Sequence, residues 1–149
     1  MVANLADQLR RDENERQYAY DDANGTTLSR GMTLLGNLTI GIGRNLSAKG
    51  ISQKERDFLL ANDMEEATTS LEANFPWTME LDPVRKGVLL NMIFNEGLAH
   101  LATFRDTLAK IQSGDYRGAS EAMLDSLWAK QVGPRARRLS IQMESGAWQ

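Results

Sequence analysis

The stretch 84–94 is apolar almost all the way round. Placed on a helix, Val84, Val88, Leu89, Leu90, Met92, Ile93 and Phe94 cover nearly its whole circumference, leaving no broad face for water. A helix of that kind is stable only at the centre of other elements, which predicts a helical body built around it. Its ends are written in the chain: Asp82 is a capping residue, Pro83 suits the first helical position, and Gly97 closes it. Two further helices are predicted near 104–112 and 116–130, separated by Ser113-Gly114-Asp115. A last one opens at Pro134 and closes near Gly146. Trp128 and Trp148 are expected in the core of this body.

The first fifty residues follow another pattern. Residues 4–15 suit a short helix with Asn4 as cap and Leu5 and Leu9 on one face. From Gln17, aromatic and polar residues alternate through Tyr20, and Asp22-Ala23-Asn24-Gly25 supplies turn chemistry. Thr39-Ile40-Gly41-Ile42-Gly43 reads as a second strand whose glycines permit close approach. Between them, residues 26–37 form an enlarged loop. Ser52 and Glu55 make a capping box for a long helix toward Asn74, with Met64, Ala67, Leu71 and Phe75 at helical spacing. The expectation is one α+β domain over residues 1–149: a small β lobe at about 15–50, an interlobe helix at 52–75, and a helical lobe from 1–14 and 76–149. A cleft between lobes is the default ligand site.

Composition restricts the chemistry. With no cysteine, disulfides, thiolate metal sites and cysteine nucleophiles are excluded, and a single histidine, His100, leaves little room for a metal centre or a Ser/His/Asp triad. His100 suits a structural or surface role, and no metal or cofactor is expected. The balance of 17 bases against 20 acids, net −3, disfavours a nucleic-acid binder. Residues 51–83 carry two bases and eight acids, while residues 84–149 carry nine and six. No segment is apolar enough for a membrane span, and the first residues lack the pattern of a secretory signal, so synthesis in the cytoplasm without a signal peptide is expected. Gly41-Ile42-Gly43 lacks the third glycine or the Lys-Ser/Thr of a nucleotide loop.

Carboxylates remain. Glu13 ends the first helix and Asp22 begins the first turn of the β unit. Two carboxyl groups beside a cleft suit glycoside hydrolysis, in which one protonates the leaving oxygen and the other directs water or acts as nucleophile. Among 20 acids, however, such a pair is common by chance.

The surrounding residues make the pair specific. Leu9-Arg10-Arg11-Asp12-Glu13, Ala19-Tyr20-Asp21-Asp22-Ala23-Asn24-Gly25 and Leu38-Thr39-Ile40-Gly41-Ile42-Gly43 occur in order. Downstream come Asn91-Met92-Ile93-Phe94-Asn95-Glu96-Gly97, Ser126-Leu127-Trp128, Arg135-Ala136-Arg137-Arg138 and Gly146-Ala147-Trp148. Together they resemble the phage-type lysozymes (endolysins) of glycoside hydrolase family 24, particularly those of the T-even phages, over essentially the whole chain. By that resemblance Glu13 matches the general acid, Asp22 the carboxylate that activates water, and Thr39 the hydroxyl that holds that water. Arg135 matches an arginine that reaches across the family's cleft to the catalytic Glu, where it would orient Glu13. Phe104 is a candidate substrate contact.

The implied activity is a peptidoglycan muramidase that hydrolyses the β-1,4 bond between N-acetylmuramic acid and N-acetylglucosamine with inversion, for host cell lysis. Its partners would be glycan strands and, for release to the periplasmic wall, a holin-type pore; a monomer is the default. The alternatives are a lytic transglycosylase, which needs one acid and no activated water, and a degenerate domain that binds peptidoglycan without cleaving it.

Two departures from the family stand out. Thirteen residues, Thr26 to Leu38, separate the turn glycine from Thr39 where the family has only a few. Thr39 would then sit at a different depth relative to Asp22, with Thr26 or Thr27 as substitutes, or the loop would extend the cleft. Arg44 stands where the family often has a histidine, and an Arg44–Asp63 bridge is expected.

Overall fold

The computed structural model describes residues 4–13 and 15–149. They form two compact units, one ending at Phe58 and the other running Leu59–Gln149, and the division falls inside one long helix.

In the first unit α1 spans Leu5–Glu13 and is capped as expected, Asn4 Oδ1 accepting the Asp7 amide at 3.0 Å. The expected extension over Asn14 lies outside the described residues. Leu5 and Leu9 stay exposed, and α1 buries no residue. Strands β1 (Arg16–Asp21), β2 (Leu38–Gly41) and β3 (Arg44–Asn45) form an antiparallel sheet in the order β1-β2-β3. Tyr20 faces Thr39 and Asp21 faces Leu38 across the first pair, and Ile40 faces Arg44 across the second. The expected second strand through Gly43 is therefore a hairpin. Gly41 and Gly43 take φ of 66° and 65°, a left-handed backbone that glycine adopts without steric cost, and the chain reverses between them.

The short helix α2 (Leu46–Lys49) follows, with Asn45 as cap. Then α3 (Gln53–Asn74) opens on the expected capping box. The Glu55 amide donates to Ser52 Oγ at 3.3 Å, and the Ser52 amide donates to Glu55 Oε2 at 2.6 Å.

The second unit is helical: a 3-10 turn at Pro76–Glu80, then α4 (Pro83–Glu96), α5 (Leu98–Leu101), α6 (Arg105–Gln112), α7 (Tyr116–Leu124), α8 (Leu127–Val132) and α9 (Pro134–Ser145). Asp82 caps α4 by accepting the Arg85 amide at 3.0 Å. The core gathers Leu71 and Val88, Leu89 and Met92 of α4 with Leu101, Ile111, Met123, Trp128 and Met143 from the surrounding helices. As expected α4 is central, but Phe94 is 45% exposed, so its apolar surface is not wholly covered.

Two further expectations are corrected. The helix predicted over 116–130 is two helices, because Ser126 takes the Ala129 amide as a new N-cap and donates its hydroxyl to the Met123 carbonyl at 2.7 Å. Trp128 is buried, and its indole N–H donates to Asn95 Oδ1 at 2.8 Å, whereas Trp148 is 66% exposed, with its ring edge against Gly87.

Candidate active site

Glu13, Asp22 and Thr39 all belong to the first unit, which its local chemistry holds together. At the end of α1 the Glu13 carboxylate lies against the β2–β3 turn: a Cβ built on Gly43 would stand 2.6 Å from Glu13 Oε2. Glycine at 43 thus serves the tight turn and also leaves room for the carboxyl group.

Asp22 lies one residue beyond β1, and both of its carboxylate oxygens are engaged by one residue. Oδ1 accepts the Asn37 amide at 2.6 Å and Oδ2 accepts Asn37 Nδ2 at 3.0 Å. Gly36 makes the approach possible, since a Cβ there would sit 2.3 Å from Asp22 Oδ1 and 2.8 Å from the Ala23 nitrogen. Thr39 is buried on β2, and its hydroxyl donates to the Asn37 carbonyl at 3.3 Å. Asn37 is therefore common to Asp22 and Thr39.

The enlarged loop folds onto the other edge of β1. The Asp21 amide donates to the Thr26 carbonyl, Leu28 donates to the Ala19 carbonyl, and Thr27 forms a bridge with Tyr20. Tyr20 is thus flanked by Thr27 on one side and Thr39 on the other. The loop returns through Leu35 and Gly36, whose amides donate to Asp21 Oδ2 and Oδ1 at 2.6 and 2.9 Å, while the Ala23 amide also reaches Oδ1 at 3.0 Å. Asp21 is 1% exposed. The Leu35 amide above all, and the Ala23 and Gly36 amides after it, hold its carboxyl below the usual aspartate range against the opposing effect of burial.

Gly43 fulfils the close approach expected of the glycines in its run, whereas Asp21, Gly36 and Asn37 have no distinguishing signature in the sequence. Asp21 sits beside the matched Asp22, but nothing local separates the two.

Arg44 meets Glu55 rather than the expected Asp63. Its Nη2 donates to Glu55 Oε2 at 2.7 Å and its Nε to the Gly50 carbonyl at 3.0 Å, tying β3 to the start of α3. Glu55 lies in the first turn of α3 and is already oriented by Ser52; Asp63 is two turns further along α3. The Ser52 amide and hydroxyl, with Arg44 adding to them, hold the Glu55 carboxyl below its usual range.

Arg135 and Phe104 belong to the second unit. Arg135 donates from Nε to Asn91 Oδ1 at 2.8 Å and from Nη2 to the Asn91 carbonyl at 3.2 Å, which fixes the start of α9 on α4. Phe104 packs edge-on to Trp128 and to His100 and lines a pocket of about 540 Å³ with Asp106, Lys110 and Asp125. His100 Nδ1 lies 3.5 Å from Glu96 Oε2 without the alignment of a hydrogen bond. Among the described residues no cluster of three or more His, Asp or Glu is placed to hold a metal ion, and no helix is long and apolar enough to cross a membrane.

The phage lysozyme family model matches residues 11–142. The chain is similar to probable T4-type lysozyme 1 of Dictyostelium discoideum, 27% identical over 164 aligned positions that cover 98% of this chain and 96% of the relative. Probable T4-type lysozyme 2 of the same organism is 28% identical with the same coverage. The pre-baseplate central spike protein Gp5 of Enterobacteria phage T4 is 26% identical over 95% of this chain but only 28% of its own length. With a match over most of its length, and a small antiparallel sheet preceding a helical body, the chain belongs to the phage lysozyme family.

Proposed function

We propose that the chain is a peptidoglycan muramidase that hydrolyses the β-1,4 bond between N-acetylmuramic acid and N-acetylglucosamine with inversion. Family membership supports a lysozyme-like muramidase in general, and the finer reading rests on the two carboxylates of the first unit. The observation that carries it is the different setting of the two groups: Glu13 against the Gly43 turn, Asp22 gripped along one edge by Asn37.

In this mechanism Glu13 gives its proton to the glycosidic oxygen as the bond to C1 breaks. Asp22 takes a proton from a water molecule whose oxygen attacks C1 from the opposite face, and the Thr39 hydroxyl, which donates to the Asn37 carbonyl, helps hold that water by accepting from it. Inversion requires about 6.5–9.5 Å between the carboxyl groups, to leave room for the water. Afterwards Asp22 releases its proton to solvent and Glu13 regains one. In the same reading Arg135 is a supporting cation, Phe104 a sugar contact, and the biological role host cell lysis as an endolysin, with a holin-type pore giving access to the wall.

Clearing of permeabilised Gram-negative cells by the wild type, Glu13→Gln and Asp22→Asn tests the assignment. Loss of clearing in both variants, with folding retained, is expected. Equal clearing by all three proteins would end it.

A further inference from the structure

The buried carboxylate of Asp21 has no part in the mechanism above, yet it carries more hydrogen bonds than the adjacent Asp22. It accepts three backbone amides, two of them from residues 14 and 15 positions away, and is 1% exposed. An anion so placed is stable only with its acceptors filled, so it commits the backbone around it to one arrangement. The amides it binds, at Leu35 and Gly36, immediately precede Asn37, whose own amide and side chain hold Asp22.

We propose that Asp21 and Asn37 are positioning residues for the hydrolytic water: Asp21 anchors the return of the loop, and Asn37, held in place by that anchor, sets the plane of the Asp22 carboxylate. This rests on the reading of Asp22 as the base. A carboxylate beyond an ordinary turn rotates about two side-chain bonds. Here both oxygens are engaged by one asparagine, which leaves the lone pairs on the opposite edge free and fixes their direction. Thr39 is drawn into the same unit because its hydroxyl donates to the Asn37 carbonyl. The same anchor closes the loop of twelve residues between Gly25 and β2, because its return at Leu35 and Gly36 is bonded to Asp21.

Aligned reacting groups are worth orders of magnitude in rate, and a displacement of about 1 Å costs roughly a hundredfold. Asn37→Ala keeps the backbone amide and loses the Nδ2 bond; it should lower kcat about tenfold with KM within twofold and the melting temperature little changed. Asp21→Asn places an amide donor against backbone N–H groups and should lower kcat about a hundredfold. Should Asp21→Asn fail to fold, the Asn37 variant carries the test.

The decisive comparison repeats both substitutions in an Asp22→Asn background, scored on residual cleavage of soluble glycan chains. Residues that act through Asp22 have nothing further to lose there. Unchanged kcat in the single variants, or the same fold-loss repeated in the Asp22→Asn background, would overturn the proposal. Full activity of Asp22→Asn alone would instead overturn the reading on which it rests.

Discussion

Gly43 and Gly41 provide a matched pair of substitutions. Both have φ near +65°, so alanine at either position brings the same backbone strain, about 1–2 kcal/mol for a non-glycine residue in the left-handed region. Stiffening of the unfolded chain returns about 0.4–1 kcal/mol, leaving a net loss near 1 kcal/mol in each case. For a chain of this size that is a fall of about 3 °C in melting temperature. The two differ in what the new methyl meets. At Gly41 nothing lies within 4 Å; at Gly43 the Cβ would stand 2.6 Å from Glu13 Oε2, where ordinary contact begins at 3.4 Å. The carboxylate must therefore retreat by about 0.8 Å, the scale of displacement that costs roughly a hundredfold in rate. Thermal melts followed by circular dichroism should give near-equal shifts for Gly41→Ala and Gly43→Ala, while initial rates on soluble glycan fall steeply only for Gly43→Ala. Equal rates in the two variants would refute the claim that Gly43 makes room for a working Glu13.

Trp128→Phe removes the donor to Asn95 inside the second unit and leaves a half-buried acceptor without that partner, a loss of about 1 kcal/mol that chemical denaturation would measure. Asn95→Leu in the same background should recover part of that loss. The lowered carboxyl of Glu55 contributes stability that is fully present above its ordinary value of 4.5 and is lost as pH falls through the folded-state value. Melting curves should therefore show Glu55→Gln below the wild type at neutral pH, the gap closing as pH drops below 4.5; a gap that widens on acidification would contradict the assignment.

Much of the fold is local, and to that extent it was legible. The Ser52–Glu55 box, the Asp82-Pro83 start and the apolar faces of α3 and α4 are written within a turn or two of the residues that form them. The division of 116–130 was missed because Ser126 has the chemistry of either a helix interior or a cap. The exposure of Trp148 is not legible because composition does not say which tryptophan finds a partner for its N–H, and the Arg44 partner is Glu55 rather than Asp63 because Glu55 stands at the helix start beside Ser52. In the candidate site, Glu13, Asp22 and Thr39 were marked by their surrounding motifs. Asp21 and Asn37 were not, since their roles depend on bonds across fifteen residues of loop. Two adjacent aspartates differ in burial only because the loop returns over one of them.

The configuration of the first-formed product tests the account most directly. Time-resolved proton NMR of glycan cleavage by the wild type should show the α anomer at the new reducing end before mutarotation, since inversion at a β bond through an Asp22-activated water gives that anomer. A first-formed β anomer, or an anhydro sugar with no reducing end, would contradict it.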